Sequence, residues 1–270
     1  MDASQLLNKA EELMSSEHPE EAAAIYADLC AMEHLTDEER ANSLFGLGTC
    51  EFLAGKASKA AASLQRSWEI LYASVGMQHP FTARVMVMLS RALFAMGSMD
   101  TGMEVGRSAL KTLESLYGKN HDQTATAAFF LAGGAQASER LAESEDLVRQ
   151  AMDAWTELHG RNSLQVAMCL DALGVLRNLC GEHREGTDFH TDALEIKLEL
   201  LGERLDTALA CGAVGIAETK QENWSVASER LAQALRILEQ CGDEARPDRA
   251  TFLQYMDECR KHLSGGDNNV

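Results

Sequence analysis

Two histidines have the residue type and the spacing that most invite a chemical interpretation. His183 and His190 are seven residues apart in a segment with helical periodicity, so their backbones lie about 10.5 Å apart along one helix. That separation places them poorly to share one metal ion, because ligands must converge on the ion. We therefore expect two solvated helix histidines, with no metal and no other cofactor.

The other motifs with chemical potential are incomplete. Gly133-Gly134 and Gly265-Gly266 lack the strand and the Gly-Lys-Ser/Thr context of a phosphate-binding loop. No serine or cysteine stands in a context that marks a nucleophile. The seven cysteines are never closer than eleven residues, which is typical of reduced thiols packed among helices. The sequence therefore predicts a protein that is not an enzyme.

Two arginines have a spacing that suits anion binding. Arg84 and Arg91 are seven residues apart, two helical turns on one face. They lie in residues 41–117, where seven bases exceed five acids, although the whole chain has a formal net charge of −18. One interpretation is a pair of solvated arginines. The other is a paired anchor for a carboxylate or a phosphorylated side chain, which the planar donors of arginine match.

The charge and the apolar segments limit the partners and the location. An acidic protein of this net charge is not expected to bind nucleic acid or an anionic membrane, since both need clustered Lys and Arg. The start has no secretory signal pattern, and the longest nearly apolar stretch, residues 125–135, is shorter than the roughly 20 residues that span a bilayer. We therefore expect a cytoplasmic protein.

A repeat of 42 residues defines the elements that would position these side chains. Gly76, Gly118, Gly160 and Gly202 are each 42 residues apart, and similar sequences follow them. Within each repeat, two runs of apolar residues at helical spacing are separated by a break that contains glycine in several repeats. The chain has only three prolines to interrupt helices. The pattern predicts an all-α protein of helical hairpins, each with a first helix, A, and a second helix, B.

The register of the repeat predicts one domain at residues 1–264. We place six hairpins and a capping helix in it, followed by a disordered tail at 265–270. The predicted hairpins are 3–34, 37–75, 79–117, 121–159, 163–201 and 205–241, and the predicted capping helix is 246–263.

The repeats resemble the tetratricopeptide repeat (TPR). Leu47-Gly48 and Leu173-Gly174 stand where that family carries Leu-Gly in helix A, and Gly55 with Ala60 stands at its turn and in its helix B. The 42-residue period and the segment Val75-Gly-Met-Gln-His-Pro80 are similar to the kinesin-light-chain type of the repeat. The resemblance implies an α-solenoid, a right-handed superhelix whose A helices line a concave side. The Asn-Asn pair of the kinesin-light-chain type is missing, so its asparagine ladder is not carried over.

On this resemblance, helix-A positions outside the core stripe form a peptide-binding groove. The predicted groove residues are Asn42, Phe45, Thr49, Phe52, Arg84, Val87, Met88, Arg91, Phe94, Thr126, Phe129, Phe130, Gly133, Met168, Asp171, Val175 and Asn178, continued by Gly212, Ile216 and Lys220. The alternative for each of the Phe and Met side chains is packing between repeats.

These expectations favour a non-catalytic scaffold or adaptor. Its partner would be a protein or peptide with apolar anchors and an acidic group, held in the groove. The alternative function is a self-associating structural subunit of a larger assembly, which would make the chain a homo-oligomer.

Overall fold

A computed structural model describes residues 3–16, 18–242 and 247–265 of the 270-residue chain. Within these ranges the chain forms thirteen α-helices and no strand. The contacts divide it into two compact units, Met1–Ala151 and Met152–Val270. The predicted all-α fold of TPR-like hairpins is confirmed, whereas the single domain at 1–264 stays a prediction.

The first unit contains four A helices, each followed by a B helix. These are α1 (Ala3–Ser15), α2 (Pro19–Cys30), α3 (Asp37–Leu53), α4 (Ala57–Ser74), α5 (Pro80–Ala95), α6 (Met99–Tyr117), α7 (Asp122–Ala137) and α8 (Leu141–His159), of which α8 ends beyond the unit boundary. The second unit contains α9 (Leu164–Leu179), α10 (His183–Leu201), α11 (Leu205–Lys220), α12 (Trp224–Gln240) and α13 (Pro247–Gly265).

The repeated loop sequence starts the A helices by side-chain capping. The Nδ1 atoms of His79 and His121 accept hydrogen bonds from the backbone N–H groups two residues on, at 3.3 and 3.2 Å. Gly76 and Gly118, three residues earlier, have φ angles of 82° and 79°, a conformation that glycine adopts without steric cost. The Gly-x-x-His pattern is therefore a reversal of the chain followed by a helix cap.

Small residues set the close packing between helices. Ala83, Ala125 and Ala167 occupy the same position of three A helices, and each is completely buried. In the first unit, α5 contacts both α3 and α7, so three A helices lie side by side. This arrangement brings residues from three repeats onto one surface.

The last described helix, α13, packs on the final hairpin. Phe252, Met256 and Cys259 of α13 are buried in the core formed with α11 and α12. The ring of Phe252 occupies the space beside Gly212, where an added Cβ would lie 2.0 Å from its Cζ atom. Gly212 is therefore covered, which corrects its expected place in the groove. The tail predicted to be disordered at 265–270 lies outside the described residues, apart from Gly265 at the end of α13.

Candidate functional site

The A-helix surface of the first unit carries a small cavity between α3, α5 and α7. Its volume is about 210 Å³, and we call it the central cavity. It is lined by Phe45, Arg84, Val87, Met88, Leu113, Gln123, Thr126 and Phe130. Six of these eight were predicted groove residues, and Leu113 and Gln123 were not. Leu113 lies on helix B, and no pattern within the A helices points to it.

Arg84 is the cation at this cavity. Its guanidinium carbon lies 5.5 Å from the ring centroid of Phe45 and 5.8 Å from that of Phe81. The side chain is exposed, and no carboxylate in the described part of the chain lies within ion-pair distance of it. Arg84 therefore presents free N–H donors next to an apolar cavity.

Arg91 is not solvated, although solvation was one of the two interpretations of the arginine pair. Its guanidinium carbon lies 3.8 Å from the ring centroid of Phe130 and 4.7 Å from that of Phe52. Arg91 Nη1 also donates to Met88 Sδ at 3.2 Å. Burial between these groups lowers the pKa of Arg91. Arg91 joins three A helices by cation–π contacts, and the two arginines are not an equivalent pair.

Other predicted groove residues of this unit differ in accessibility. Phe94 packs against glycines, since a Cβ added to Gly134 would lie 2.1 Å from its ring. The packing alternative therefore holds for Phe94. Gly133 is exposed with nothing within 4 Å of an added Cβ. Phe129 stacks edge to face on Phe130 at a centroid distance of 5.9 Å.

A second and larger cavity lies at the α1 end of the same surface. Its volume is about 630 Å³, and we call it the end cavity. It is lined by Glu11, Met14, Ser15, Tyr26, Glu38, Asn42, Phe45, Gly46, Thr49, His79, Phe81 and Arg84. Phe45 and Arg84 line both cavities, so the two cavities are adjacent. Asn42 and Thr49, which were predicted groove residues, lie here.

In the second unit, two predicted groove residues are engaged within the protein. Asp171 of α9 accepts hydrogen bonds from His190 Nδ1 at 3.2 Å and from Lys197 Nζ at 2.5 Å. Burial alone would raise the pKa of Asp171, but these two partners outweigh it and lower the pKa. The side-chain amide of Asn178 contacts His183 and His190 at 3.3 and 3.5 Å. Asp171 and Asn178 join α9 to α10 and are both only partly exposed, and their place in a groove stays a prediction.

Of the two histidines that open the sequence analysis, one differs from the solvated environment expected for both. His183 is exposed, but only 6 % of His190 is exposed, so His190 is not solvated. Its ring lies against Gly174, where a Cβ would lie 2.7 Å from His190 Cε1. The signal for this burial was in the sequence, because the glycine at position 174 leaves room for a ring between the helices.

The remaining predicted residues of α9 form an exposed apolar face. Met168 and Val175 are accessible, as are Leu164 and Leu179 on the same side of the helix. In the described residues, no cluster of three or more His, Cys, Asp or Glu side chains has an arrangement that would hold a metal ion. No described helix combines the length and the apolar character needed to cross a membrane.

The similarities between this chain and known proteins were found by comparing structures and not by comparing sequences. No protein-family model and no curated protein sequence matches the chain. The structure matches the quorum sensor NprR from B. thuringiensis in its apo form, with a TM-score of 0.75, 10 % identity, and coverage of 93 % of this chain and 68 % of that one. It also matches a Rap protein complexed with competence and sporulation factor, with a TM-score of 0.67, 14 % identity, and coverage of 97 % and 86 %.

A third match concerns the type of repeat. A putative kinesin light chain from Podosopora anserina with nearly identical TPR-like repeats has a TM-score of 0.64 and 18 % identity, with 77 % of this chain and 98 % of that chain covered. The chain has a TPR fold. The resemblance predicted from Leu-Gly pairs and the 42-residue period is therefore confirmed.

The TPR fold explains the place of the two cavities. In hairpins of this kind the A helices lie next to one another, so a surface assembled from α3, α5 and α7 is continuous across repeats. The central and end cavities are depressions in that TPR surface, lined by side chains from helices far apart in the sequence.

Proposed function

We propose that this TPR-fold protein is a non-catalytic interaction scaffold that binds a segment of a partner protein on the A-helix surface of its first unit. The observation that carries the proposal is the central cavity, with its apolar walls and the free guanidinium of Arg84 at its side. A binding site of this type combines a pocket for an apolar anchor with a few polar groups that fix orientation.

The chemistry of the cavity defines the partner segment. Phe45, Val87, Met88 and Phe130 would surround one large apolar side chain and remove it from water. Arg84 would donate to a carboxylate close to that side chain. The segment would therefore carry an apolar anchor next to an Asp or a Glu.

The structural comparisons support an interaction role. One neighbour with the same fold was solved in complex with another factor, and another is a quorum sensor. We transfer only the general role, because one fold serves many functions. The residues that would bind here are those of this chain's own cavities.

The proposal is tested by selecting binders from a synthetic library of twelve-residue peptides, acetylated at the N-terminus and amidated at the C-terminus. We expect the selected peptides to be enriched in an acidic residue near a large apolar one. Arg84→Gln should weaken their binding about tenfold or more, the value of one hydrogen bond to a charged group. Arg66→Gln, at an exposed arginine of helix α4, is the control and should leave binding unchanged.

A second variant separates the cavity from the charge. Thr126→Trp would fill the central cavity from α7 and should abolish the selection for large apolar residues. Equal binding by both variants and the parent would contradict the proposal. The alternative, self-association, predicts a mass in light scattering that rises with protein concentration, whereas the scaffold proposal does not require it.

A further inference from the structure

The end cavity contains acidic groups that the proposed function does not use. Glu11 of α1 and Glu38 of α3 line it, and both are exposed. Neither carboxylate forms an ion pair within the described part of the chain. Arg84 lines the same cavity, so the cavity has acidic groups and a basic group on different helices.

Tyr26 adds a polar atom without a partner. Only 4 % of Tyr26 is exposed, yet it lines the end cavity. Its ring lies against Gly46, where a Cβ would lie 2.3 Å from Tyr26 Cζ. Its hydroxyl has no hydrogen-bond partner among the described residues. The hydroxyl oxygen itself keeps access to the cavity, so a ligand there can supply its hydrogen-bond partner.

The protonation of Tyr26 is compatible with that role. Burial, followed by the charges of Glu11 and Cys50, raises the pKa of Tyr26 to about 12. The phenol is therefore neutral at physiological pH, and its oxygen can accept a hydrogen bond from a cationic N–H group.

We propose that the end cavity binds the side chain of a lysine or arginine of the partner segment. This inference rests on the proposed function and adds a third feature to the segment, namely a basic residue besides the apolar anchor and the acid. Glu11 and Glu38 would bind the charge, and the Tyr26 oxygen would accept one N–H. Met14 and Phe81 would contact the aliphatic stem of the side chain.

Charge complementarity favours this occupant over an acidic or an apolar one. An acidic group would meet two unpaired carboxylates, and an apolar group would leave both carboxylates and the Tyr26 hydroxyl without partners. Because Phe45 and Arg84 line both cavities, one extended segment would reach both. The basic residue would then lie on the α1 side of the acidic one.

The test uses the same acetylated and amidated library, in which no free α-amine is present. The parent should select peptides enriched in Lys or Arg as well as in an acid and an apolar residue. Glu11→Gln/Glu38→Gln should remove the enrichment in Lys and Arg and keep the other two. The control Glu12→Gln/Glu33→Gln changes the net charge equally at exposed positions outside the end cavity and should select as the parent does.

A matched peptide pair measures the effect on one ligand. Replacing the basic residue of a selected peptide by norleucine keeps an aliphatic stem and removes the charge. This should weaken binding to the parent tenfold or more, and should change binding to Glu11→Gln/Glu38→Gln less than twofold. Tyr26→Phe should weaken binding of the charged peptide three- to tenfold and leave the norleucine peptide unaffected.

The outcomes separate the two proposals. Selection of acidic and apolar residues without basic ones would overturn the basic subsite alone. Enrichment in Lys and Arg that persists in Glu11→Gln/Glu38→Gln would overturn it too, since the attraction would then come from the net charge of the chain. A parent that selects no peptide would overturn the proposed function and this inference together.

Discussion

The two arginines of α5 show how strongly one residue's role depends on the neighbouring helices. Arg84 is exposed beside Phe45 and Phe81, whereas Arg91 is half-buried between Phe52 and Phe130. We predict that Arg91→Ala lowers the free energy of unfolding by about 1–2 kcal/mol, because a desolvated cation–π contact is lost. Arg84→Ala should change it by no more than about 0.5–1 kcal/mol. Urea unfolding of both variants gives the comparison, and equal losses would contradict it.

Asp171 makes stability depend on pH in a defined direction. Its carboxylate has a lowered pKa in the folded protein, so its contribution to stability is present above the ordinary aspartate pKa of about 3.9 and is lost as the pH falls through the lower folded value. Asp171→Asn should cost about 1–3 kcal/mol near pH 7, since it leaves Lys197 without its charged partner.

The melting temperatures of parent and Asp171→Asn should converge as the pH is lowered from 5 to 2. A difference that stays constant over this range would show that the ionised form of Asp171 is not the stabilising one. Circular dichroism melts at several pH values provide the measurement.

At the scale of the helix, the turns between A and B contain strain that the repeat pattern locates. Gly55, Gly97 and Gly181 have positive φ angles at this turn, and Glu139 and Glu222 have φ angles of 59° and 63° at the corresponding positions. A residue with a side chain adopts this conformation at a cost of about 1–2 kcal/mol. Glycine avoids that cost, but it loses more conformational entropy on folding, which offsets part of the advantage.

Glu139→Gly should therefore raise the free energy of unfolding, by up to about 1 kcal/mol. The neighbouring Ser138 has a φ angle of −92°, so Ser138→Gly should lower stability. Thermal unfolding of the two variants tests the sign, and stabilisation by both or by neither would be inconsistent with strain at Glu139.

Two adjacent glycines of α7 provide a second test of the packing. A Cβ at Gly134 would lie 2.1 Å from the ring of Phe94, but a Cβ at Gly133 would meet nothing within 4 Å. Gly134→Ala should destabilise the protein by about 1–3 kcal/mol through overpacking. Gly133→Ala should stabilise it by about 0.5–1 kcal/mol, the difference in helix propensity. Similar effects of both changes on the melting temperature would refute the packing of Phe94.

These residues also explain how much the sequence predicted. The 42-residue glycine spacing and the helical periodicity predicted the hairpins. Helices and turns are determined by local geometry, and the residues that determine it lie within one repeat. The partners of Arg91 and Asp171 were not predicted, because they come from neighbouring helices: Phe52 and Phe130 for Arg91, His190 and Lys197 for Asp171. Periodicity along one helix gives the direction of a side chain but not what it meets there.

At the scale of the whole molecule, the net charge of the chain is negative, whereas the side chain of Arg84 at the proposed site is positive. The formal net charge is −18, which repels acidic partners at long range and attracts basic ones. Arg84 presents a local positive group on the first unit. A partner segment with charges of both signs satisfies both conditions, so binding should weaken as the salt concentration rises.

The most direct test of the proposed function is a double-mutant cycle between Arg84 and the acidic residue of a selected peptide. The four affinities are those of the parent and Arg84→Gln for the peptide and for its Asp→Asn or Glu→Gln form. The proposal predicts a coupling energy of at least about 1 kcal/mol, with unchanged melting temperatures for the protein. Two changes whose effects simply add would show that Arg84 does not bind the acidic residue, and would contradict the central claim.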